Sequence, residues 1–326
     1  MPEIVRQKGG NNVFRPAGTA KPGSILAEAV SAADLPGDYI KMALYGRNRV
    51  GKTHLAGDFP KPMLVVSFEP AQSGGSMTLK RRQGVQCIHI VNEGQKSFRG
   101  VIQNEPATAK TRRLILELAA SCPFKTVVFD TLTGFQDLVL VEVCGFSVIP
   151  QQLDWGMVTE DQYRHRASKT KEALRPMLDL PCHVVMVCQE RDHNPPKDRG
   201  TSKLMRGLQH ESFFSVDLGG ATAKWLQDSC DYVAQLFVDK EVEMVRTSLE
   251  VADPKAPGGK RLLESVTEQE TGKLVRRLRC MYHPNFAAGF RSPNPEAVPE
   301  FIDHPTFAKI QAVIHGEKSP KSARIG

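Results

Sequence analysis

Ala43–Leu55 reads ALYGRNRVGKTHL and contains a phosphate-binding loop. The pattern G-x-x-x-x-G-K-[ST] is met at every fixed position. Its glycines let the backbone turn tightly, so that consecutive N–H groups face a polyphosphate. The loop consists of eight residues: Gly46, Arg47, Asn48, Arg49, Val50, Gly51, Lys52 and Thr53.

Two side chains at the end of this loop supply its chemistry. Lys52 reaches the β- and γ-phosphates and Thr53 offers a hydroxyl to Mg²⁺, while the helix that begins near Lys52 directs its positive end at the same anion. Tyr39–Tyr45 predicts a strand running into the loop, and Gly57 and Pro60 predict a short helix after it. This strand–loop–helix context predicts a nucleotide site.

Carboxylates follow two further apolar runs. Met63–Phe68 is typical of a buried parallel strand and ends in Glu69, and a second such strand ends in Asp130. Ligands of an open parallel sheet bind beyond the carboxyl ends of its strands. We therefore expect Asp130 to hold Mg²⁺, the alternative being that it caps a helix predicted over Gly134–Cys144. Thr131 stands where many P-loop ATPases carry a catalytic Glu, so Glu69 is the candidate base.

A neutral amide ends the next strand. Pro181–Cys188 predicts a buried strand followed by Gln189, whose amide could contact a γ-phosphate or merely satisfy local backbone groups. The following segment, Glu190–Leu218, has no obvious period, and such a long loop is usually functional or disordered. Its basic residues are those a single-strand site needs for the nucleic-acid backbone. They are Lys197, Arg199, Lys203 and Arg206.

Composition limits the class of protein. The formal net charge is +7, and over residues 39–189 Lys and Arg outnumber Asp and Glu by 19 to 13, which suits a nucleic-acid partner. Seven cysteines without a C-x-x-C pair indicate reduced thiols. No apolar run approaches the roughly 18 residues that cross a bilayer. We therefore expect a cytoplasmic protein without a membrane partner, located in the host cell if the protein is phage-encoded.

The rest of the chain predicts a small β-rich extension. Asp231–Val238 is a candidate fifth core strand, and Glu241–Glu250 and Gly272–Tyr282 predict antiparallel strands joined near Pro254–Gly259. The expected fold class is α/β with a mainly parallel sheet, in which the Gln189 strand lies between the loop strand and the Asp130 strand. The expected domains are a flexible arm (1–37), an ATPase core (38–240) and a C-terminal extension with a terminal helix (241–326).

The order of these motifs resembles the RecA/RadA recombinase core. GKTHLAGDFPKPMLVVSFE and TVVFDTLTGF are most similar to phage-encoded RecA-like ATPases that serve as single-strand annealing proteins, the ATPase-bearing Sak group. The resemblance covers roughly residues 39–240. It implies a RecA-like P-loop core with ATP and Mg²⁺ as ligands and catalysis by Glu69, with Lys52 on the phosphates and Gln189 as γ-phosphate sensor.

The resemblance also implies partners. The segment after Gln189 resembles the second DNA-binding loop of the recombinases, and the region around Trp155 the first. Lys224 and Trp225 match a Lys–aromatic pair between RecA subunits, and Phe14-x-x-Ala17 resembles the plug that links RadA-type subunits. The implied partners are single-stranded DNA, further copies of the chain in a ring or filament, and a single-strand-binding protein.

Several alternatives stay open at this point. The same core could serve a motor or helicase loader in DNA replication or packaging, a small-molecule kinase or a non-hydrolysing scaffold. The preferred function is an ATP-dependent single-stranded-DNA-binding protein of phage-type recombination or annealing, with DNA-stimulated hydrolysis coupled to its grip on DNA. A cation from an adjacent subunit would stabilise the transition state. Its candidates are Arg276, Arg277, Arg279 and Lys224.

Overall fold

A mixed β-sheet with helices on both faces forms the body of the protein. The computed structural model describes residues 39–69, 75–96, 100–145, 158–193, 213–252 and 260–317. The strands are β1 (Lys41–Gly46), β2 (Met63–Ser67), β3 (Val85–His89), β4 (Thr126–Asp130), β5 (His183–Asp192), β6 (Phe214–Val216), β7 (Tyr232–Ala252), β8 (Lys260–Arg279), β9 (Gly289–Phe290) and β10 (Phe301–Asp303). The α-helices are α1 (Lys52–Ala56), α2 (Ala107–Ala120), α3 (Leu132–Cys144), α4 (Glu160–Leu174), α5 (Gly220–Ser229) and α6 (Phe307–Ile314).

The strand order is β10-β8-β7-β1-β5-β4-β2-β3, with β6 paired to β5 and β9 to β7. The six strands from β7 to β3 run parallel to one another, whereas β8 and β10 are antiparallel additions. The predicted α/β class and the position of the Gln189 strand between β1 and β4 are therefore confirmed. The carboxyl ends of β1, β5, β4 and β2 consequently meet at one edge of the sheet.

Alternate residues of the parallel strands pack into two apolar layers. On β1, Ala43 and Tyr45 belong to one layer, and Met42 and Leu44 belong to the other. Helices α2, α3, α4 and α5 cover the first layer, while α1 and α6 cover the second. Burial on both faces explains why these strands read as continuous apolar runs.

The predicted break between Val238 and Glu241 is wrong, because the predicted fifth core strand and the run after it form one strand, β7. The predicted antiparallel pairing after the core is confirmed, since β7 pairs with β8 from Gln235–Arg279 to Ala252–Lys260, with a register irregularity between Lys240 and Val242. The predicted turn near Pro254–Gly259 lies outside the described residues. The division of the chain at residue 240 stays a prediction.

Two further boundaries differ from the sequence prediction. Strand β5 continues three residues beyond Gln189 because Glu190–Asp192 pair with β6. Helix α3 begins at Leu132, and its N-cap is Thr131, whose hydroxyl accepts a hydrogen bond from the Gly134 N–H at 3.0 Å. In the part of the chain that the structure describes, no helix is long and apolar enough to span a bilayer.

Candidate functional site: a phosphate loop with its metal and sensor residues

The phosphate loop lies between β1 and α1, as its sequence predicts. Gly46 packs so closely on β7 that a Cβ there would lie 2.1 Å from the carbonyl oxygen of Leu236. Gly51 has a φ of +100°, in the left-handed region that favours glycine. Both glycines of the pattern are thus required by the backbone.

The Lys52 ammonium lies buried at the centre of the site. Its Nζ donates hydrogen bonds to the carbonyl oxygens of Gly46 (2.7 Å) and Arg47 (2.8 Å) and to Oε1 of Gln189 (2.9 Å). Burial lowers the pKa of Lys52, while the charge of Asp130 acts in the opposite direction. The structure thus brings together the predicted phosphate-binding lysine and the predicted γ-phosphate sensor.

Thr53 and Asp130 form the pair expected to hold Mg²⁺. The Thr53 hydroxyl donates to Oδ2 of Asp130 at 2.9 Å, and Oδ1 of Asp130 is buried without a hydrogen-bond partner in the described residues. Burial, followed by the charge of Glu69, raises the pKa of Asp130 to about 6. A hydroxyl and a carboxylate with a free oxygen fit Mg²⁺, which prefers oxygen ligands and would neutralise charge on the β- and γ-phosphates. The alternative role of Asp130 as a helix cap is wrong, because Thr131 caps α3.

Glu69 lies beside this pair and is held by Gly75, whose role sequence reasoning missed. The N–H of Gly75 donates to Oε2 of Glu69 at 2.7 Å. A Cβ on Gly75 would lie 2.4 Å from Oγ1 of Thr53 and 3.0 Å from Oδ2 of Asp130. Gly75 therefore closes the metal side of the site by backbone contact, and the glycine pair shortly after a strand-terminal Glu is the signal that could have found it.

Gln189 is oriented from two directions. Its side chain accepts the Lys52 hydrogen bond, and its backbone N–H donates to Oγ1 of Thr133 on α3 at 3.1 Å. The same hydroxyl donates to the carbonyl oxygen of Asp217 at 3.0 Å. Strand β5 is thus fixed at the point where it passes the phosphate loop. The Gln189 amide therefore does more than satisfy local backbone groups, and its role as a γ-phosphate sensor stays a prediction.

Glu190 links the loop to the far strands, a role that sequence reasoning missed. Its carboxylate accepts hydrogen bonds from Arg47 (3.3 Å) and from Gln235 (2.7 Å), and Gln235 in turn accepts one from Arg279 (3.3 Å). The Glu190 side chain is only 6% exposed. An acid directly after the sensor and an arginine inside the loop were the available signals, but their pairing depends on three-dimensional contact.

The four candidate trans-acting cations have different environments. Arg277 forms ion pairs with Asp239 and Asp303 and lies over the Phe301 ring, and Arg279 is buried. Arg276 lies against Gly51 of its own chain. Lys224 is exposed on α5, whereas Trp225 packs partly against the core of its own chain. A subunit contact by Lys224 and Trp225 stays a prediction.

Several predicted residues lie outside the described part of the chain. They are Phe14 and Ala17, the region around Trp155, and the basic residues Lys197, Arg199, Lys203 and Arg206. The structure does describe the elements next to two of these segments, namely the start of α4 and the end of β5.

A phosphate loop with its Thr–Asp pair, set at the carboxyl edge of a mainly parallel sheet, defines a P-loop nucleotide-binding domain of the α/β class. The profile of the AAA domain family matches residues 38–272, which is more than half of the chain, and the chain belongs to that family. It is therefore an AAA-type P-loop ATPase domain.

Two solved structures are remotely similar to the chain. The flagellar accessory protein FlaH of Methanocaldococcus jannaschii shares 11% identity over 82% of this chain and 87% of its own, with a TM-score of 0.34. A KaiC-like protein of Pyrococcus horikoshii shares 10% identity over 81% of this chain and 88% of its own, with a TM-score of 0.31. The comparison with curated proteins gives no match.

Proposed function

We propose that the protein is an ATP-dependent single-stranded-DNA-binding protein of phage-type recombination or annealing, in which ATP hydrolysis changes the grip on DNA. The observation that carries this proposal is the path of β5. Gln189 contacts Lys52 in the phosphate loop, and two residues later Arg191 lines a cleft rich in arginine. One strand thus touches both the nucleotide site and a surface suited to a polyanion.

This surface, the arginine cleft, is lined chiefly by α4, the end of β5 and the start of α5. It has a volume of ≈ 550 Å³ and includes Tyr163, Arg164, Arg166, Arg191 and Gly219. Arg164 and Arg191 also pair with acids, but Nε of Arg166 is buried without a hydrogen-bond partner in the described residues, and its guanidinium lies 4.9 Å from the Tyr163 ring centroid. An aromatic ring beside cations suits stacked bases and a phosphate backbone.

Asp137 is a carboxyl that lines the arginine cleft and reduces its positive charge. Burial raises the pKa of Asp137 to about 6, against the opposing charge of Arg166. Because its pKa is raised, Asp137 carries less negative charge below neutral pH than an ordinary aspartate, and it therefore repels a polyanion less. The cleft is also adjacent in the chain to the segments at 146–157 and 194–212, which hold the predicted DNA-binding residues.

Exchange of one hydrogen bond couples the two sites in this proposal. A γ-phosphate offers the Lys52 ammonium an oxygen ligand in place of Oε1 of Gln189, which frees the amide to follow the phosphate. Movement of Gln189 is transmitted along β5 to Arg191 and to the segment beyond it. ATP and ADP would then stabilise different positions of the cleft residues, which is the differential binding that nucleotide control requires.

Arg166→Ala tests the cleft. We expect the affinity for a labelled single-stranded oligonucleotide to fall about tenfold and the salt dependence to decrease by about one phosphate contact, because one backbone cation is lost. Fluorescence polarisation across salt, with ATP, ADP or no nucleotide, measures both quantities. Gln189→Ala should make the DNA affinity in the presence of ATP equal to the DNA affinity in the presence of ADP.

Arg112→Ala is the matched control for this test, because Arg112 is a half-exposed surface arginine on α2 that pairs with Glu172. It should leave DNA affinity within twofold of the parent, as expected for an exposed ion pair. Very weak binding of the unaltered protein that does not respond to nucleotide would contradict the DNA proposal. Turnover stimulated by a protein partner instead of DNA would favour a loader.

Self-association is the second part of the proposal. Strand β3 is the last strand at its side of the described sheet, and a groove beside it is lined by apolar residues such as Ile88 and Leu114 together with polar ones such as Gln86 and Ser121. We propose that Phe14-x-x-Ala17 of a neighbouring copy binds in this β3 groove. The 21 residues between Ala17 and Tyr39 could span up to about 70 Å when extended, which is enough to reach another subunit.

Phe14→Ala should reduce the oligomer size measured by light scattering, because the groove would lose its largest apolar ligand. Leu114→Glu, which places a charge at a partly buried position of the groove, should have the same effect, whereas Leu116→Glu changes an exposed residue of the same helix and should not. An unchanged mass for both Phe14→Ala and Leu114→Glu would exclude this contact.

A further inference from the structure

A cavity of ≈ 200 Å³ adjoins the phosphate loop on the side away from Gln189. It is lined by residues of the loop, α1, β7 and β8 and the segment before α6, among them Gly51, His54, Leu55, Arg276, His304 and Pro305. Arg276 lies on β8, on the opposite side of β1 from Gln189 on β5. The chemistry of the γ-phosphate belongs to the Gln189 side, so the remainder of the nucleotide must leave the loop elsewhere.

Arg276 is the cation that this cavity presents to the loop, and Asp58 adds a carboxylate to its lining. Its Nε and Cζ atoms lie 3.4 Å from the position that a Cβ on Gly51 would take. The residue is exposed, and among the described residues its guanidinium has no hydrogen bond or ion pair, unlike Arg277 and Arg279 in the same strand. Its backbone is fixed, since its carbonyl oxygen accepts the His304 N–H at 2.8 Å. A cation thus lies against the phosphate loop and has no side-chain partner among the described residues.

His54 supplies a second polar group, directly after the metal-binding threonine. Nη2 of Arg82 lies 3.1 Å from Nε2 of the His54 imidazole. The cavity wall therefore combines a flat guanidinium, an imidazole, the Asp58 carboxylate and the apolar surfaces of Leu55 and Pro305.

The backbone beside Arg276 is also unusual. His304 has a φ of +47°, a left-handed conformation that is uncommon outside glycine and is concentrated at ligand sites and turns. This conformation allows its N–H to reach Arg276 while Pro305 lines the cavity. The segment His304–Pro305 therefore both holds the Arg276 backbone and lines the cavity.

We propose that this cavity is the subsite for the ribose and base of the bound nucleotide, and that Arg276 of the same chain packs against the base there. The inference rests on the nucleotide site of the proposed function but not on DNA binding. Arg276 then serves its own subunit as a positioning residue and is not a cation donated to a neighbour. The planar guanidinium of Arg276 can stack on a purine ring through a cation–π contact, and Leu55 and Pro305 offer the ring apolar surface.

Calorimetric titration of the full chain with ADP and, separately, with inorganic triphosphate in Mg²⁺ tests this assignment. Arg276→Ala should lower the affinity for ADP about tenfold, the effect expected of one cation stacked on a ring. It should change the affinity for triphosphate less than twofold. Arg276→Lys should also weaken ADP, because it keeps the charge but loses the planar surface. Lys273→Ala removes an exposed cation from the same strand and should change neither ligand.

Each other outcome overturns the inference in its own way. An equal loss of ADP and triphosphate affinity places Arg276 on the phosphates. Unchanged binding of both ligands together with slower turnover assigns it to the transition state, in its own or a neighbouring site. Failure of the unaltered protein to bind ADP removes the nucleotide site itself, and with it the proposed function, whereas failure to bind DNA leaves this test intact.

Discussion

Replacing Glu69 with Gln is expected to lower the ATP turnover number by about 10²- to 10⁴-fold, the range for loss of a positioned general base. Glu69 follows β2 at the same edge as the phosphate loop and accepts the N–H of Gly75, a residue whose Cβ would lie 3.0 Å from Oδ2 of Asp130. The residue directly after Asp130 is not an acid but Thr131, whose hydroxyl caps α3. Phosphate release measures turnover, and calorimetry should show ATP affinity within about twofold of the parent, since an isosteric amide leaves the phosphate ligands in place.

Glu190→Gln is the control that discriminates best. Glu190 is the other carboxylate near the loop, but it is occupied by Arg47 and Gln235. We expect this variant to keep most of the turnover, because its carboxylate is committed to a structural network. Loss of turnover in Glu190→Gln with retention in Glu69→Gln would reverse the assignment of the base, and equal turnover in parent and Glu69→Gln would indicate that the base lies elsewhere or that the protein is a scaffold.

The sequence could predict the fold and the centre of the site because both depend on local patterns. The glycines at 46 and 51 are dictated by backbone geometry within one loop, and the apolar runs around β2, β4 and β5 follow from burial on both faces of the sheet. Chemically distinct residues at the carboxyl ends of such strands converge at one edge whatever the rest of the chain does. This is why Lys52 and Gln189 could be assigned to one site from sequence.

Contacts between elements distant in the chain could not be predicted. The link from Arg47 through Glu190 to Gln235 depends on the pairing of β1 with both β5 and β7, which no local pattern encodes. The β7–β8 hairpin was divided incorrectly because its outer part pairs strand to strand and does not show the apolar run of a buried core strand. Trp225 matched a motif for subunit contacts, whereas the structure packs it partly against its own core.

Gly75→Ala is expected to reduce turnover about 10²-fold at limiting Mg²⁺, with partial recovery at high Mg²⁺. The added methyl would lie 2.4 Å from the Thr53 hydroxyl, a distance that atoms cannot adopt, so either Thr53 or the Gly75 backbone must move. Moving Thr53 removes a metal ligand, and moving Gly75 releases the hydrogen bond that holds Glu69. Displacement of a catalytic group by about 1 Å can cost 10²-fold in rate. Turnover titrated against Mg²⁺ separates the two routes, because only the loss of the Thr53 ligand is relieved by more metal.

Gly289→Ala is the matched control, since a Cβ at Gly289 meets nothing within 4 Å and its φ is not in the left-handed region. It should leave both turnover and its Mg²⁺ dependence unchanged. Normal turnover in Gly75→Ala would contradict this prediction and would show that Gly75 can shift without loss of the Thr53 ligand or of the orientation of Glu69. Reduced turnover would instead make Gly75 a fixed wall of the metal site, and the hydrogen bond from its N–H would then orient Glu69 throughout catalysis.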